Sequence, residues 1–212
     1  VLGAPVFVTL GGAGLILFWG KELPLASIPV EHYRLVINPT LPTIPLFTLA
    51  GYFLAEGGAS RRLVRVFQAL VGHVRGGPAI ATALVCAFFT SFTGASGVTI
   101  LALGGLLMPV LVAAKYSEKI ALGLLTGAGS LGLLLPPCLP VILYAIIAQI
   151  PINALFLGGL LPGLLLVGLT AGWGYLKAPK TGRIGRTFDR RDAAGALWEA
   201  KWELLIPVVA LV

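Results

Sequence analysis

Two clusters of small and hydroxyl-bearing residues hold the groups in this sequence that could do chemistry. The first is Thr93-Gly-Ala-Ser-Gly97, and the second is Thr126-Gly-Ala-Gly-Ser130, which Pro136, Pro137 and Pro140 follow closely. A straight helix cannot continue through these prolines, because each lacks an amide donor and clashes with the preceding turn. In a membrane, backbone groups freed in this way must be satisfied by protein, water or a ligand. The pattern predicts a broken transmembrane helix of the kind that binds ions and substrates in transporters.

The oxygen atoms of these clusters are neutral. Between Arg75 and Lys177 the only ionisable side chains other than Cys and Tyr are Lys115, Glu118 and Lys119, in one turn. A proton-coupled carrier usually keeps an acidic group or a histidine inside the membrane as its relay. Sodium needs no titrating group, since carbonyl and hydroxyl oxygens can replace its water. The sequence therefore favours sodium as the ion, with oxygens from Thr93, Ser96, Thr99, Thr126 and Ser130.

Composition indicates a membrane protein. Of 212 residues, 58% are hydrophobic and 11% are charged, whereas soluble domains carry roughly 25% charged residues. The net charge of +7 falls in two loops without a groove-reading motif, so we expect no nucleic-acid partner. Cys86 and Cys138 lie inside apolar segments and are expected to be small buried hydrophobic residues.

The apolar segments predict an all-α polytopic membrane protein. In the first part of the chain we expect a span at 2–20, a polar connection at 21–42 and a short apolar helix at 45–54. Two helices at 78–113, joined by a tip at 93–97, and a broken helix at 120–150 should follow. The last part should contain a turn at 151–153, a span at 154–176, a polar loop at 177–201 and the start of a further span at 202–212. The 78–113 stretch could be two full spans or a re-entrant hairpin. Because an apolar run is already under way at Val1 and a new one begins near Trp202, we expect a fragment of a longer protein.

Residues 60–75 predict an amphipathic helix that lies in the membrane interface. One face carries Leu63, Val64, Phe67, Leu70, Val71 and Val74, and the other carries Arg61, Arg62, Arg65 and Gln68. This separation is typical of an interfacial helix. We expect Ser60 as its N-cap, an end at Gly76-Gly77, and Pro78 in the first turn of the next helix.

The basic residues predict the orientation. The 61–76 segment has four Arg and no acid, and the 177–201 loop has seven Lys or Arg. By the positive-inside rule both should be cytoplasmic, with the 21–42 connection outside.

Signals for an enzyme are absent from the sequence. It contains no phosphate-binding loop, no GxSxG and no HExxH, and neither His32 nor His73 has a second ligand at metal spacing. The alternative interpretation of the small residues is helix packing, since small residues allow close approach in membranes. That interpretation is the one we expect for three glycine pairs, Gly123/Gly127, Gly159/Gly163 and Gly168/Gly172.

The sequence resembles the large membrane subunit of tripartite ATP-independent periplasmic (TRAP) transporters, the DctM type, within the ion transporter superfamily. The resemblance covers essentially the whole chain and corresponds to roughly the N-terminal half of that subunit. The matching pieces are Pro45-Leu-Phe-Thr-Leu-Ala-Gly-Tyr52 leading into Glu56-Gly-Gly58, Arg62-Leu-Val64, Phe88-Phe-Thr-Ser-Phe-Thr-Gly-Ala-Ser-Gly97, and Gly127 to Pro140 followed by Val141-Ile-Leu-Tyr144.

The resemblance implies an elevator-type transporter in the bacterial inner membrane, with two inverted repeats that each contain a re-entrant hairpin and a broken helix. It implies sodium-coupled uptake of an organic acid, a periplasmic solute-binding protein and a small membrane subunit. Sodium would be the coupling ion, and no other cofactor or metal is expected. Residues 1–76 would form scaffold spans and the amphipathic arm, and residues 77–150 would form half of the transport block. The 151–176 span and the 177–201 cytoplasmic loop would follow, before a truncated span at 202–212.

By position, the resemblance places a sodium site at the hairpin tip facing the broken helix. The suspected residues are Ser91, Thr93, Gly94, Ser96, Thr126, Gly127, Gly129, Ser130, Gly132, Pro136 and Pro137. The sequence departs from the commoner Ser-Gly-Ser tip at Thr93 and Ala95, and from Pro-Pro-Ser at Cys138. Backbone carbonyls are therefore the expected ligands at Ala95 and Cys138.

Two other functions fit the same residues. One is a dicarboxylate or citrate carrier that works with sodium but without a binding protein. The other, from a different class, is a channel or a non-transporting scaffold subunit, in which the tip would line a pore or only pack.

Overall fold

The computed structural model describes residues 3–179 and 189–211, without the side chains of residues 55 and 207–211. Its elements are helical throughout, and the described residues contain no strand, which confirms the all-α prediction. The α-helices are α1 (Val6–Gly20), α2 (Ser27–Val36), α3 (Thr43–Glu56), α4 (Ala59–Val71), α5 (Gly77–Thr93), α6 (Ser96–Ala113), α7 (Glu118–Ala128), α8 (Leu139–Ala148), α9 (Ile152–Leu176), α10 (Arg190–Glu199) and α11 (Lys201–Leu211). A 3-10 helix, Leu131–Leu134, lies between α7 and α8.

Three segments of the described chain are long and apolar enough to cross a membrane. They are Ser96–Ala113, Glu118–Ala148 taken across its interruption, and Ile152–Leu176. Helices α1, α3 and α5 contain shorter apolar stretches. This arrangement is consistent with a polytopic membrane protein.

The chain divides into two compact units, 1–41 and 42–212. The first unit holds α1 and α2, and α2 corrects the expectation that 21–42 is only a polar connection. Pro29 is the third residue of α2. A proline is tolerated there because the first four amides of a helix have no intrahelical acceptor.

Helix α5 is the centre of the second unit. Thirteen of its 17 residues are buried, many of them alanines, and it packs against α3, α4, α6, α7, α9 and the 3-10 helix. The division into a scaffold at 1–76 and half of a transport block at 77–150 stays a prediction. Cys86 and Cys138 are buried free thiols, which confirms the prediction for both.

The predicted helix break is confirmed. Helix α7 ends at Ala128, α8 begins at Leu139, and the residues between them are not α-helical. The Pro136–Pro137 peptide bond is cis. Pro140 has a different role from the one expected, because it lies in the first turn of α8, where a proline starts a helix without loss of a hydrogen bond.

The amphipathic helix is present as α4, with different ends. Its N-cap is Gly58 in a left-handed conformation, whereas Ser60 is buried inside the first turn. The helix stops at Val71, with Gly72 as its C-cap, and not at Gly76-Gly77. Gly76 is instead the N-cap of α5. Pro78 lies in the first turn of α5, as predicted.

A helix also occupies part of the 177–201 stretch that we expected to be a loop. Residues 180–188 of that stretch lie outside the described residues, but α10 follows them. The Asp189 carboxylate caps α10 by accepting a hydrogen bond from the backbone N–H of Arg191 at 2.8 Å. An N-terminal aspartate of this kind satisfies an amide that would otherwise lack a partner.

Candidate functional site

Three threonine hydroxyls meet where α5 and α6 face the end of α7. The Thr90 hydroxyl oxygen lies 2.9 Å from that of Thr99 and 2.9 Å from the carbonyl oxygen of Gly129. Thr93 and Thr99 share a hydrogen bond of 3.1 Å, and Thr99 also lies 3.3 Å from the carbonyl oxygen of Ala95. Thr90 and Thr99 are fully buried. We call these three residues the threonine cluster.

The threonine cluster has more oxygen acceptors than protons to fill them. The Thr90 hydroxyl lies close to two carbonyl oxygens, Cys86 at 2.7 Å and Gly129 at 2.9 Å. A hydroxyl carries one proton and two lone pairs. It can therefore give a full hydrogen bond to only one of the two carbonyls, and lone pairs stay available within the cluster.

Two helix ends of the same polarity flank the threonine cluster. Thr90 is in the last turn of α5, and Gly129 is the C-cap of α7. The C-terminal end of a helix carries a partial negative charge, because its last carbonyls have no intrahelical partner. Both helix ends therefore favour a cation near the cluster.

The hairpin tip contacts the start of α8. Gly94 has φ +62°, and a β-carbon built on it would lie 2.9 Å from Cβ of Leu139, the first residue of α8. Helix α6 begins two residues after Gly94, at Ser96. The N-terminal ends of α6 and α8 therefore lie near the tip, and helix N-termini favour anionic groups.

Gly132 packs the segment between α7 and α8, residues 129–138, closely against α5. We call this segment the broken segment. A β-carbon on Gly132 would lie 2.7 Å from Cβ of Thr90 and would also collide with the backbone of Ala87 and Ser91. Only a glycine allows this approach. The hairpin and the broken segment are thus packed backbone to backbone beside the threonine cluster.

A groove of about 530 Å³ reaches the tip from the side of α3. Its lining includes Thr93 and Val98 from the hairpin, and Tyr52 and Glu56 from α3. A second cavity of about 640 Å³ also contacts Glu56 and adds Arg61. The two cavities share lining residues, so open space extends from the hairpin tip toward both charged side chains.

Comparison with known proteins decides the family. The family described as "Tripartite ATP-independent periplasmic transporter, DctM component" matches residues 1–212. The chain belongs to the DctM family.

Relatives with assigned names agree with this. The DctM-family chain is 34% identical to the isethionate TRAP transporter permease protein DctMQ of Oleidesulfovibrio alaskensis, over 100% of this chain and 34% of that protein. It is 33% identical to the C4-dicarboxylate TRAP transporter large permease protein DctM of Vibrio cholerae, over 100% of this chain and 47% of that protein. It is 31% identical to the ectoine/5-hydroxyectoine large permease protein UehC of Ruegeria pomeroyi, over 97% of this chain and 50% of that protein. The chain spans about a third to a half of the length of these relatives.

The structure places eight of the suspected sodium-site residues in the hairpin or in the buried part of the segment between α7 and α8. Ser91, Thr93, Gly94 and Ser96 lie at or beside the hairpin tip, and Gly129, Gly132, Pro136 and Pro137 are buried in the broken segment. The Ser91 hydroxyl donates to the carbonyl of Phe88 at 2.7 Å, so it is engaged within its own helix. Coordination of an ion by these residues stays a prediction.

Three suspected residues are exposed, unlike the buried Thr90 and Thr99 of the threonine cluster. Thr126 is exposed, and its hydroxyl donates to the carbonyl of Leu122 at 2.9 Å in its own helix. Gly127 and Ser130 are also exposed. Helical periodicity gives the reason: α7 buries Ala121, Leu124, Leu125 and Ala128, which turns residues 126 and 127 outward.

Sequence reasoning did not single out Thr90. A signal for it exists, because Thr90 and Thr93 are three residues apart in a predicted helix and therefore share one face. The sequence could not show that this face would meet Gly129.

Packing explains one of the three glycine pairs. A β-carbon on Gly159 would lie 2.6 Å from the carbonyl oxygen of Leu134, and one on Gly163 would lie 2.8 Å from the side chain of Leu135. For these two residues the packing interpretation is confirmed. A β-carbon on any of the other four glycines would meet nothing within 4 Å in the described part of the chain; these are Gly123, Gly127, Gly168 and Gly172.

Proposed function

We propose that this chain forms one ion- and solute-binding half of a sodium-coupled TRAP permease in the bacterial inner membrane. Its solute is an organic acid that a periplasmic binding protein delivers, and a small membrane subunit completes the transporter. The family description supports a tripartite periplasmic system. Relatives named for isethionate and C4-dicarboxylates support an organic acid.

The contact between Thr90 and Gly129 carries the proposal for sodium. It places buried hydroxyl oxygens against a carbonyl at the C-terminal end of α7. Sodium is bound in transporters by unwound backbone carbonyls and by the C-terminal ends of half-helices. The polar contacts within the threonine cluster are all between hydroxyl and carbonyl oxygens, so ion binding there requires no change of protonation.

The same arrangement supports a place for the solute. The N-terminal ends of α6 and α8 lie on either side of the contact between Gly94 and Leu139. A carboxylate of the solute would be stabilised there by the partial positive charge at the N-terminal ends of the two helices. A sodium ion at the neighbouring C-terminal ends would lower the cost of bringing this anion into the membrane, which couples the two binding events.

The close approach of Gly132 to α5 supports a shared movement of the hairpin and the broken helix. Because Gly132 holds the broken segment against α5, the hairpin and the broken helix would move together as one transport block. In this elevator mechanism the hairpin is re-entrant, and the arm helix α4 and the peripheral spans form the scaffold. The arginines of α4 place that helix on the cytoplasmic side under the positive-inside rule.

Uptake by the intact transporter in proteoliposomes tests the proposal. We expect accumulation of a C4-dicarboxylate or isethionate to require both an inward sodium gradient and the binding protein. Uptake that needs sodium but no binding protein would indicate a carrier of the dicarboxylate or citrate type. Solute flux that is independent of sodium would overturn the proposal and favour a channel, and absence of flux would favour a scaffold subunit.

Two substitutions test whether the hydroxyls of Thr93 and Ser96 bind sodium. Thr93→Ala and Ser96→Ala each remove one hydroxyl at the tip, and we expect the sodium concentration for half-maximal uptake to rise several-fold. Thr126→Ala is the matched control, because its hydroxyl bonds within its own helix on the outer face. If all three variants keep the sodium dependence of the unmodified transporter, the tip hydroxyls do not bind the ion.

A further inference from the structure

Two tryptophans on the junction of α10 and α11 point away from the protein. The side chains of Trp198 and Trp202 are 72% and 69% exposed. Between them, the Lys201 ammonium lies 3.9 Å from the ring centroid of Trp198 and 5.5 Å from that of Trp202. A cation this close to an aromatic ring is attracted to the face of the ring. We call these three residues the tryptophan pair with its lysine.

The opposite side of this junction is fixed to α4. Arg65 makes ion pairs with Glu199 at 2.8 Å and with Asp192 at 3.2 Å, and Arg62 pairs with Glu203. The hydrogen bond to Asp192 and the charge of Glu199 raise the pKa of Arg65 above its ordinary value. A small apolar contact of Val66 with Ala196 and Ala200 adjoins these ion pairs. The junction therefore cannot rotate to bury its indoles without breaking these contacts.

The ion pairs also leave the junction of α10 and α11 with a net positive charge, because they neutralise its acidic side chains. Asp192, Glu199 and Glu203 are engaged by arginines of α4, and the Asp189 carboxylate caps α10. The other charged side chains described in α10 and α11 are Arg190, Arg191 and Lys201, which are all cationic, and both arginines are exposed. A negatively charged surface complements this side of the molecule.

The two tryptophans lie at or just before the start of an apolar helix, which indicates that the negatively charged surface is that of a membrane. Helix α11 begins at Lys201 and continues as the apolar run Leu204-Leu-Ile-Pro-Val-Val-Ala-Leu211. Tryptophan is enriched where helices cross the boundary between membrane and water, since its ring is apolar and its N–H is polar. Lysine near that boundary keeps its stem in the apolar layer and its ammonium at the headgroups.

We propose that the tryptophan pair with its lysine binds the anionic phospholipid headgroups at the membrane surface. The indoles lie at the level of the headgroups and upper acyl chains, and the Lys201 ammonium contacts a lipid phosphate. Through the ion pairs of Arg62 and Arg65, this contact holds α4 at the same depth as the start of α11. The inference does not depend on the identity of the transported solute or ion.

Depth-dependent quenching of tryptophan fluorescence tests the inference. In the intact transporter, every tryptophan except Trp198 and Trp202 is replaced by phenylalanine, and retained uptake shows that this variant is folded. It is reconstituted in bilayers of phosphatidylcholine and phosphatidylglycerol in which one lipid at a time carries brominated acyl chains. We expect stronger quenching by bromines near the carboxyl end of the acyl chain than by bromines near its methyl end. We also expect brominated phosphatidylglycerol to quench more than brominated phosphatidylcholine at equal mole fraction.

Lysine variants separate the headgroup contact from general insertion. Lys201→Gln should lower the preference for phosphatidylglycerol about fivefold, since a basic residue near an anionic surface contributes about 1 kcal/mol. Lys119→Gln, at an exposed lysine in the first turn of α7, should leave it unchanged. Equal quenching by the two lipids, or an unchanged preference in Lys201→Gln, would overturn the contact with anionic lipid. Quenching by aqueous acrylamide but not by brominated lipid would show that the indoles face water, and protection from both quenchers would show that protein covers them.

Discussion

The hydroxyl oxygen of Thr90 lies 2.9 Å from the carbonyl oxygen of Gly129, and this contact joins the last turn of α5 to the end of α7. The two residues are 39 positions apart in the sequence. Their contact sets the threonine hydroxyls of the hairpin against the backbone that the prolines free from helical hydrogen bonding. The hairpin and the broken helix therefore share one polar, largely buried junction.

Removal of the Thr90 hydroxyl should destabilise this junction. Thr90→Val keeps the shape of the side chain but leaves buried oxygens with fewer partners, which costs about 1–3 kcal/mol. We expect a lower unfolding temperature in detergent and a weaker stabilisation by added sodium. Thr126→Val is the control, because the Thr126 side chain is exposed and bonds only within its own helix. If both valine variants unfold at the same temperature, Thr90 does not hold the junction together.

Addition of a single methyl group at Gly132 should separate the broken segment from α5. A β-carbon at this position would collide with the backbone of Ala87 and Ser91. We expect Gly132→Ala to lose uptake and to unfold at a lower temperature. Gly127→Ala makes the same change where a β-carbon would meet nothing within 4 Å, and it should retain activity. Equal activity of the two variants would contradict the close packing at Gly132.

The hairpin tip gives a second matched pair of glycines. Gly94→Ala is unfavourable for two reasons. Gly94 has φ +62°, and a β-carbon at this position would collide with Leu139. Non-glycine residues adopt such a conformation at a cost of about 1 kcal/mol or more. We expect slower uptake and a weaker apparent affinity for sodium. Gly97→Ala, next to open space, should be close to neutral. Similar sodium affinities in both variants would argue that the tip does not shape the ion site.

The ion pair between Arg62 and Glu203 gives a prediction about stability. Glu203 is 6% exposed, and its second carboxylate oxygen has no hydrogen-bond partner among the described residues, so the carboxylate depends on Arg62. Loss of a partner from a buried pair costs about 3–5 kcal/mol. Because the Arg62 side chain is 39% exposed, water can replace part of that interaction, and we expect about 1–3 kcal/mol for Arg62→Ala.

Two further variants check the origin of that loss. Glu203→Gln in the Arg62→Ala background should recover part of the stability, since it removes the uncompensated buried charge. Arg61→Ala changes an exposed neighbouring arginine and should have little effect. The measurement is the thermal unfolding of the unmodified protein, of Arg62→Ala, of the double variant and of Arg61→Ala. A double variant no more stable than Arg62→Ala alone would show that the buried carboxylate is not the cause.

The sequence by itself determined the class of protein and the position of its irregular backbone. Apolar segments require helices in a membrane, because each backbone group must find a partner inside the segment. Prolines and glycines change the backbone wherever they occur, so the interruption after Ala128 and the tip at Gly94 follow from local chemistry. The error at α10 has a different origin, because that short helix is capped by Asp189 and held by ion pairs with Arg65 of the distant helix α4.

Only the tertiary structure decided which groups meet. Thr90 and Thr126 both lie on apolar helices near a break, yet one faces Gly129 and the other faces outward. Arg62 and Arg65 fit the polar face of an amphipathic helix, but their partners, Glu203, Glu199 and Asp192, lie more than 120 residues further along the chain. The rotation of a helix about its axis is set by the neighbours that bury it. Those neighbours come from distant parts of the sequence, so no local pattern contains them.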